Sequence, residues 1–461
     1  MSVAIALFTS DLRVHDQPVL RAALRAADEV VPLFVRDSGV TAAGYDVPNR
    51  RAFLADCLAS LDASLRRRGG RLIVRSGEVV EQVRRVVREA GAREVHLAAG
   101  VSGYAARRED RLRTALEGTC ALVVHDSVIT VVPPGRLVPS GKDHFAVFTP
   151  YFRRWRETDR RAVMAAPRTV RVPPSVDGEP LPVRDAVEGV SPGVPEGGEE
   201  AGRARLSSWL TRGIETYEDR QDGLADDATS RLSPFVHFGC LSPVELTERA
   251  LRADGPGADA FVRQVAWRDF HHQVLAARPE SAFSDYRARH DRWRGDLAAR
   301  RETIAWREGR TGYPVVDAAM RQLRYEGWMH NRARLLTASF LTKTLYVDWR
   351  EGARHFLDLL VDGDLADNQL NWQWVAGTGT DTRPNRVLNP LTQAKRFDPR
   401  GDYVRRWVPE LAGVEGAAVH QPWKLDARVR ARLDYPDPIV DLTEAGERFA
   451  RARDLRRGGG T

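Results

Sequence analysis

Four short stretches hold residue types whose spacing could do chemistry. The run Thr229-Ser230-Arg231-Leu232-Ser233-Pro234 places three hydroxyls and a guanidinium just before a proline. Such a run can cap a helix and offer backbone N–H groups to a phosphate, and capping alone is the simpler reading. In RQVAWRDFHH, Gln264, Trp267 and Arg268 stand at i, i+3 and i+4, so a helix would present an amide, an indole and a cation on one face. A flat base can stack on that indole while the amide meets its edge; a half-buried Trp267 beside a structural Arg268–Asp269 pair is the plain alternative. Asn331 and Arg334 lie one helical turn apart, with Arg332 directed elsewhere. The last stretch is rich in acids and amides: Asp362-Gly363-Asp364, Asn368, Asn371-Trp372-Gln373-Trp374 and Gly377-Thr378-Gly379-Thr380-Asp381. Two aspartates about a glycine resemble a cation loop, but the spacing is not that of an EF-hand, and no metal site is expected. Arg334 is a suitable partner for Asp362.

The elements that must position these groups belong to a chain of 461 residues, 43% hydrophobic and 29% charged. That composition excludes a mostly disordered or fibrous protein. Eleven tryptophans are the unusual count, and nine of them (Trp267, Trp293, Trp306, Trp328, Trp349, Trp372, Trp374, Trp407 and Trp423) follow residue 260. Such a concentration suits base stacking, cofactor contact or electron transfer as well as core packing. The net charge of +7 is a mild excess, but it is unevenly spread. Residues 300–354 hold 11 basic and 6 acidic side chains, residues 355–381 hold no Lys or Arg and five Asp, and residues 382–407 hold 7 basic and 2 acidic. Two basic blocks about an acidic one fit a phosphate-gripping groove around a different kind of site; solvated helix faces are the alternative. Cys57, Cys120 and Cys240 lack metal or redox spacing, which points to a reducing, cytoplasmic setting. The N-terminus reads as a first strand rather than a signal peptide, and no stretch approaches the ~18 apolar residues of a membrane span.

Short apolar runs at Ala4–Phe8, Val30–Val35, Leu72–Arg75, Val95–Ala98 and Leu122–His125 alternate with helix-like stretches near 17–27, 50–68, 78–90 and 103–117. Strands that are apolar on both faces predict a doubly wound parallel sheet covered by helices, over residues 1–130. There is no GxGxxG and no Walker loop, so a dinucleotide would not be held in the Rossmann manner. Residues 131–203 are expected to connect two domains, rich in Pro and Gly from about 165. From 204 to 461 the apolar spacing is helical; Pro314 opens one helix, and Leu336, Phe340 and Leu341 share the next.

The sequence resembles the photolyase/cryptochrome family, most closely the class I cyclobutane pyrimidine dimer photolyases. The resemblance begins with FTSDLRVHDQPVL at 8–20 and continues through GKDHFAVFTPYFRRW, TSRLSP and WRDF. It is densest from TGYPVVDAAMRQL to WVPEL at 407–411. It implies an antenna-bearing α/β domain and a helical domain holding FAD for light-dependent repair of UV-damaged DNA. The FAD positions it implies are Tyr217, Thr229, Ser230, Arg231, Leu232, Ser233, Gln264, Arg268, Arg334, Asp362, Gly363, Asp364 and Asn368, with Asn368 at the flavin N5. Lesion contacts fall on Trp267, Asn331, Arg332, Trp374 and Gln393. Trp372, Trp349 and Trp293 match the family's electron-carrying tryptophan chain.

The sequence also departs from the family pattern. Gln264 replaces a carboxylate usual in class I enzymes, Leu335 replaces a methionine, and Pro384-Asn385-Arg386 lacks an aromatic pair. A second, antenna chromophore is expected, with deazaflavin favoured over folate. The glutamate that suits a folate antenna is not evident near Ala105-Ala106-Arg107, and the acidic position expected for deazaflavin falls on Gly100. The competing reading is a cryptochrome-like photoreceptor without repair; the long C-terminal extension typical of signalling cryptochromes is missing. A redox flavoprotein unrelated to DNA would leave the basic blocks unexplained. A monomer without membrane attachment is expected.

Overall fold

The computed structural model describes residues 1–454; the stretch 455–461, the end of the expected catalytic domain, lies outside the described residues. Five strands, β1 (Val3–Phe8), β2 (Glu29–Asp37), β3 (Ile73–Gly77), β4 (Glu94–Ala98) and β5 (Ala121–His125), form one sheet in the order β3-β2-β1-β4-β5. Every neighbouring pair is parallel, with Ala4 opposite Val30 on one side and Glu94 on the other. All six residues of β1 are buried, as a strand covered on both faces requires. The covering helices are Pro18–Ala26, Pro48–Arg66, Val79–Ala90 and Gly103–Leu116. The third of these buries Val79, Val80, Val83, Val86 and Val87 on one stripe and closes on Gly91, whose φ of +62° only glycine adopts cheaply.

The connecting segment is not slack. Val170 and Val176 are fully buried, and the backbone N–H groups of Val170 and Glu179 donate to the Arg68 and Val74 carbonyls. It also ends earlier than the expected residue 203. The helix Glu199–Arg212 begins inside the Glu196-Gly197-Gly198-Glu199-Glu200 run, with two acids in its first turn, where the helix dipole favours them. Glu199 is buried there and accepts the N–H groups of Val14 and His15, which ties the helix to the turn after β1.

The remainder is helical. The elements that matter below are Pro256–Ala277, Pro314–Glu326, Asn331–Ser339, Trp349–Leu359 and Leu365–Ala376. Pro314 does open its helix. The Asn331 helix stops at Ser339, however, and Phe340–Thr344 wind as a π-helical turn, so Leu336 and Phe340 do not share one regular helix. Among the described residues no helix is long and apolar enough to cross a membrane.

Candidate active site

A cavity of about 510 Å³ opens in the helical part. The Pro256–Ala277 helix lends it Gln264, Trp267, Arg268 and His271, so the i, i+3, i+4 face does meet one space. The Asn331–Ser339 helix adds Asn331, Arg332, Arg334 and Leu335. Asp362 and Asp364 enter from the preceding loop, and Asp367, Asn368, Trp372 and Trp374 from the Leu365–Ala376 helix.

The ionic groups lining it are paired. Arg334 donates from Nη2 to both Asp362 oxygens, at 2.8 and 3.1 Å, and from Nε to the Met329 carbonyl at 2.8 Å. Asp364 caps its helix by accepting the Asp367 N–H at 3.1 Å, and its other oxygen lies 2.9 Å from His272 Nε2 and 3.5 Å from Arg268 Nη2. Burial alone would raise the Asp364 carboxyl, but His272 and Arg268 outweigh it and hold that group well below the usual range. His271 Nδ1 is 2.7 Å from Asp367 Oδ1. Burial pushes His237, which faces the cavity, down to about 4, so it is neutral at pH 7.

Asn368 is oriented by its neighbours. Its Nδ2 donates to the Ala353 carbonyl and to Gln369 Oε1, both at 3.0 Å. Gln369 cannot reverse this pairing because its own Nε2 is spent on the Ala282 carbonyl at 2.5 Å. Both Asn368 protons are therefore used, and its carbonyl oxygen is the polar atom left for a ligand.

Trp267 reaches the cavity with one face covered: Phe148 stacks on it at 3.7 Å with planes 6° apart. Asp269 does not pair with Arg268. It turns to the opposite side and accepts Trp155 Nε1 and the N–H groups of Val131 and Val132. Nor is Arg332 directed elsewhere; it lines the cavity, in a bidentate ion pair with Asp222.

Other expected residues stand off the cavity wall. Tyr217 is buried against Trp209 and Phe261. Of the Thr229–Ser233 run only Ser233 lines the cavity, and the five-residue helix it opens has no side-chain cap, contrary to the capping reading. Arg231, at φ +51°, turns away to Asp227 and Glu326 and covers the Trp328 ring. Ser230 gives its carbonyl to Arg205 Nε, Leu232 is buried, and Thr229 Oγ1 is buried without a hydrogen-bond partner among the described residues. Gly363 leaves room for Arg50: a Cβ there would come within 2.6 Å of its Nη1. Gln393 lies on the separate Pro390–Phe397 helix. Trp349 is fully buried behind the wall, and Trp293 is half-buried beside Tyr346, with ring centroids 5.0 Å apart.

Residue spacing had not singled out His237, His271 or Asp367. The signal was present: His271 is one turn on from Arg268, and Asp367 one turn on from Asp364. In the first basic block, Arg307, Arg321, Arg332, Arg334 and Arg350 are neutralised by Glu351, Glu410, Asp222, Asp362 and Asp285. In the second, Arg383, Arg386, Lys395 and Arg396 are exposed and have no ion-pair partner among the described residues.

Two family patterns match the chain: "DNA photolyase" over residues 4–171 and "FAD binding domain of DNA photolyase" over residues 261–454. A Streptomyces griseus protein named deoxyribodipyrimidine photo-lyase is 69% identical over 457 residues, covering 99% of this chain and all of that one. Among solved structures, a bacterial class III photolyase from Agrobacterium tumefaciens superposes with a TM-score of 0.90 at 32% identity, covering 99% of this chain and 98% of its own. An archaeal photolyase from Sulfolobus tokodaii, solved with two FAD molecules, superposes at 0.86 with 28% identity over 99% of this chain and all of its own.

Proposed function

Because this chain belongs to the DNA photolyase family, we propose that it is a light-driven lyase that splits cyclobutane pyrimidine dimers in DNA, with FAD held in the helical cavity. The single observation that carries the reading is that one cavity unites cofactor-type and base-type contacts. Paired cations and carboxylates with an oriented amide line one part, and Trp267, Trp374 and Asn331 stand with them. Its volume lies in the range of ligand pockets, and Val236, Met329, Phe356 and Val375 supply apolar wall for a flat ring system.

The residues present fit FAD. Trp372, at the cavity wall, has its Nε1 buried without a hydrogen-bond partner among the described residues, as expected of a group placed beside a bound ligand. Ser233, Arg268, Arg334, Asp362, Asp364 and Asn368, all at the cavity wall, would hold the cofactor. The Asn368 carbonyl suits an N–H donor, the form that N5 of a reduced flavin presents. The chemistry FAD supplies when bound and reduced is a photochemical electron, lent to the dimer and returned once its cyclobutane bonds have opened. The residues of this chain bind, orient and exclude water. Trp267 and Trp374 offer ring faces to a flipped-out lesion, Asn331 and Gln264 offer amides to base edges, and the second basic block, with Gln393, grips the backbone.

A second chromophore is read at the C-terminal ends of β1, β2 and β4, where the strand order reverses and open sheets take ligands. Asp37 there accepts the Tyr104 hydroxyl, and Arg108 Nε is buried without a hydrogen-bond partner among the described residues. A Cβ on Gly100 would lie 2.2 Å from the Ala105 Cβ, so no acidic side chain fits at that position. Glu109 supplies the carboxylate instead, accepting the Gly100 N–H at 2.9 Å. The deazaflavin reading is kept over folate; the Sulfolobus relative, solved with two FAD molecules, supports a second chromophore of flavin type.

The test is an absorption spectrum of the purified protein, followed by illumination with an oligonucleotide carrying one cyclobutane dimer. Bound flavin and light-dependent return of two pyrimidines are expected. A protein that binds reduced flavin and leaves the dimer intact would instead be the photoreceptor.

A further inference from the structure

The Trp349–Leu359 helix runs straight into the Asp362-Gly363-Asp364 turn, so where it ends sets where those two carboxylates stand. The last carbonyls of a helix have no partner inside it. Here their donors come from the α/β domain, from the first turn of the Pro48–Arg66 helix. Asn49 Nδ2 donates to the Leu359 carbonyl at 2.6 Å. Arg50 Nη1 donates to the Leu357 and Leu360 carbonyls, at 2.5 and 2.8 Å. Arg50 Nε and Nη2 both donate to the Tyr45 carbonyl, at 3.0 and 2.8 Å, which fixes the plane of the guanidinium.

This is a demanding way to hold a helix end. Arg50 is buried, and its hydrogen bonds go to neutral carbonyls. Burying a cation is unfavourable, and burial pushes the Arg50 pKa down to about 10, which still leaves it charged at pH 7. The negative end of the helix dipole offsets part of that cost. The turn is also shaped around the guanidinium: a Cβ on Gly363 would stand 2.6 Å from Arg50 Nη1 and 3.3 Å from the Leu360 carbonyl oxygen. Two residues past Leu360, Asp362 meets Arg334. The Asp364 N–H donates to the Asp362 carbonyl at 2.7 Å, and the Asp364 carboxylate then meets His272 and Arg268.

We propose that Arg50 is a positioning residue of the FAD site: a cation of the α/β domain that locks the end of the Trp349–Leu359 helix and so holds Asp362 and Asp364 in the arrangement the cofactor meets. The proposal rests on the reading of the cavity as the FAD site. Arg50 does not line the cavity, so it acts through the two carboxylates. Without it the Leu357 and Leu360 carbonyls lose their donor in a buried place, and the turn must shift to satisfy them. Cofactor affinity is then a property of both domains, although the groups facing the cavity belong to one.

The test is equilibrium dialysis of the full-length protein against a series of FAD concentrations, with bound flavin read by absorption and urea unfolding followed at saturating FAD. Arg50→Gln should weaken FAD binding on the order of tenfold to a hundredfold, the worth of a lost charge-assisted hydrogen bond, and alter the fine structure of the bound-flavin band. Arg50→Lys, which keeps the charge and loses the fork, should recover part of the affinity. Gly363→Ala pushes a methyl into Nη1; it should weaken FAD binding alone and add little to Arg50→Gln, because both act on one contact. His15→Ala removes a different contact between the domains, His15 Nδ1 to Glu245 Oε2 at 3.1 Å, and should keep the parent affinity. A merely structural contact would lower the urea midpoint and leave FAD affinity unchanged. Parent affinity in Arg50→Gln, simple addition of the Arg50→Gln and Gly363→Ala effects, or an equal loss in His15→Ala overturns the proposal. If Arg50→Gln does not fold, parent affinity in both Arg50→Lys and Gly363→Ala overturns it, and a loss in Gly363→Ala upholds it. A parent protein that binds no FAD overturns the reading of the cavity and this proposal together.

Discussion

Arg332 and Asp222 form a bidentate ion pair at the cavity, Nε to Oδ1 at 2.6 Å and Nη2 to Oδ2 at 3.0 Å. Phe397 lies under the guanidinium, 5.3 Å away, so two groups hold it in one orientation. The pair is partly exposed and thus of modest strength, within reach of competition from a DNA phosphate. In undamaged DNA no flipped lesion adds contacts to offset its opening. Asp222→Asn should therefore raise affinity for undamaged duplex and steepen the salt dependence by up to about one phosphate contact, a slope change near 0.9. Anisotropy titrations across a salt series check this; an unchanged slope sinks it.

How much of this arrangement was legible in the sequence depended on the range of the interaction. The Gln264, Trp267 and Arg268 face and the Arg334–Asp362 pair follow from helical spacing and opposite charge, and both are in place. The sheet was legible because its strands are continuously apolar. Asp222 and Arg332, 110 positions apart, carry no local mark of each other. Nor do Arg50 and the Leu360 carbonyl, because a long-range polar pair has no period. The orientation of Asn368 was equally hidden, since it is set by what Gln369 gives to Ala282.

The packing of Trp372 on Gly352 gives a second prediction. Gly352→Ala would press a methyl into that indole and should destabilise the protein by about 1–3 kcal/mol through overpacking. Photoreduction of bound flavin should slow as Trp372 is displaced. Trp372→Phe should slow it further, while dark binding of damaged DNA stays near the parent value. Denaturant unfolding and photoreduction traces report the two effects separately; a Phe variant that photoreduces like the parent removes Trp372 from the relay.

His330 gives a pH prediction. It is buried at the start of the Asn331–Ser339 helix, where Nδ1 accepts the Arg332 N–H at 3.1 Å. Burial pushes its pKa down to about 4, against an unfolded value near 6.5. The unfolded chain thus binds the proton first, and stability falls as pH drops from about 6.5 towards 4. His330→Asn keeps a helix-capping acceptor but no titration. Its stability should fall less steeply in that window, by up to about 1.4 kcal/mol per pH unit. Urea midpoints at pH 7, 6 and 5 decide it; parallel curves for parent and variant would contradict the assignment.

The last prediction is the choice of lesion. Repair of a (6-4) product needs a proton moved at the lesion as well as an electron. The family resemblance implies two histidines one turn apart in members that do this, at the positions held here by Asn331 and Leu335, both at the cavity. His330 is next in sequence, but it is turned into the core as a helix cap and does not line the space. His271 does line it, with its Nδ1 already on Asp367, on another helix. Leu335 can neither donate nor accept a proton. Opening a cyclobutane ring needs electron transfer alone, so this wall suits that reaction. Light should restore pyrimidines from a cyclobutane dimer and not from a (6-4) product. Trp267→Ala should weaken lesion binding by roughly 1–3 kcal/mol, the value of one stacked base, because Phe148 fixes the indole plane that the lesion would meet. Two oligonucleotides, each with one lesion, illuminated with protein and analysed for restored bases, give the answer; restoration of the (6-4) product alone would refute the assignment.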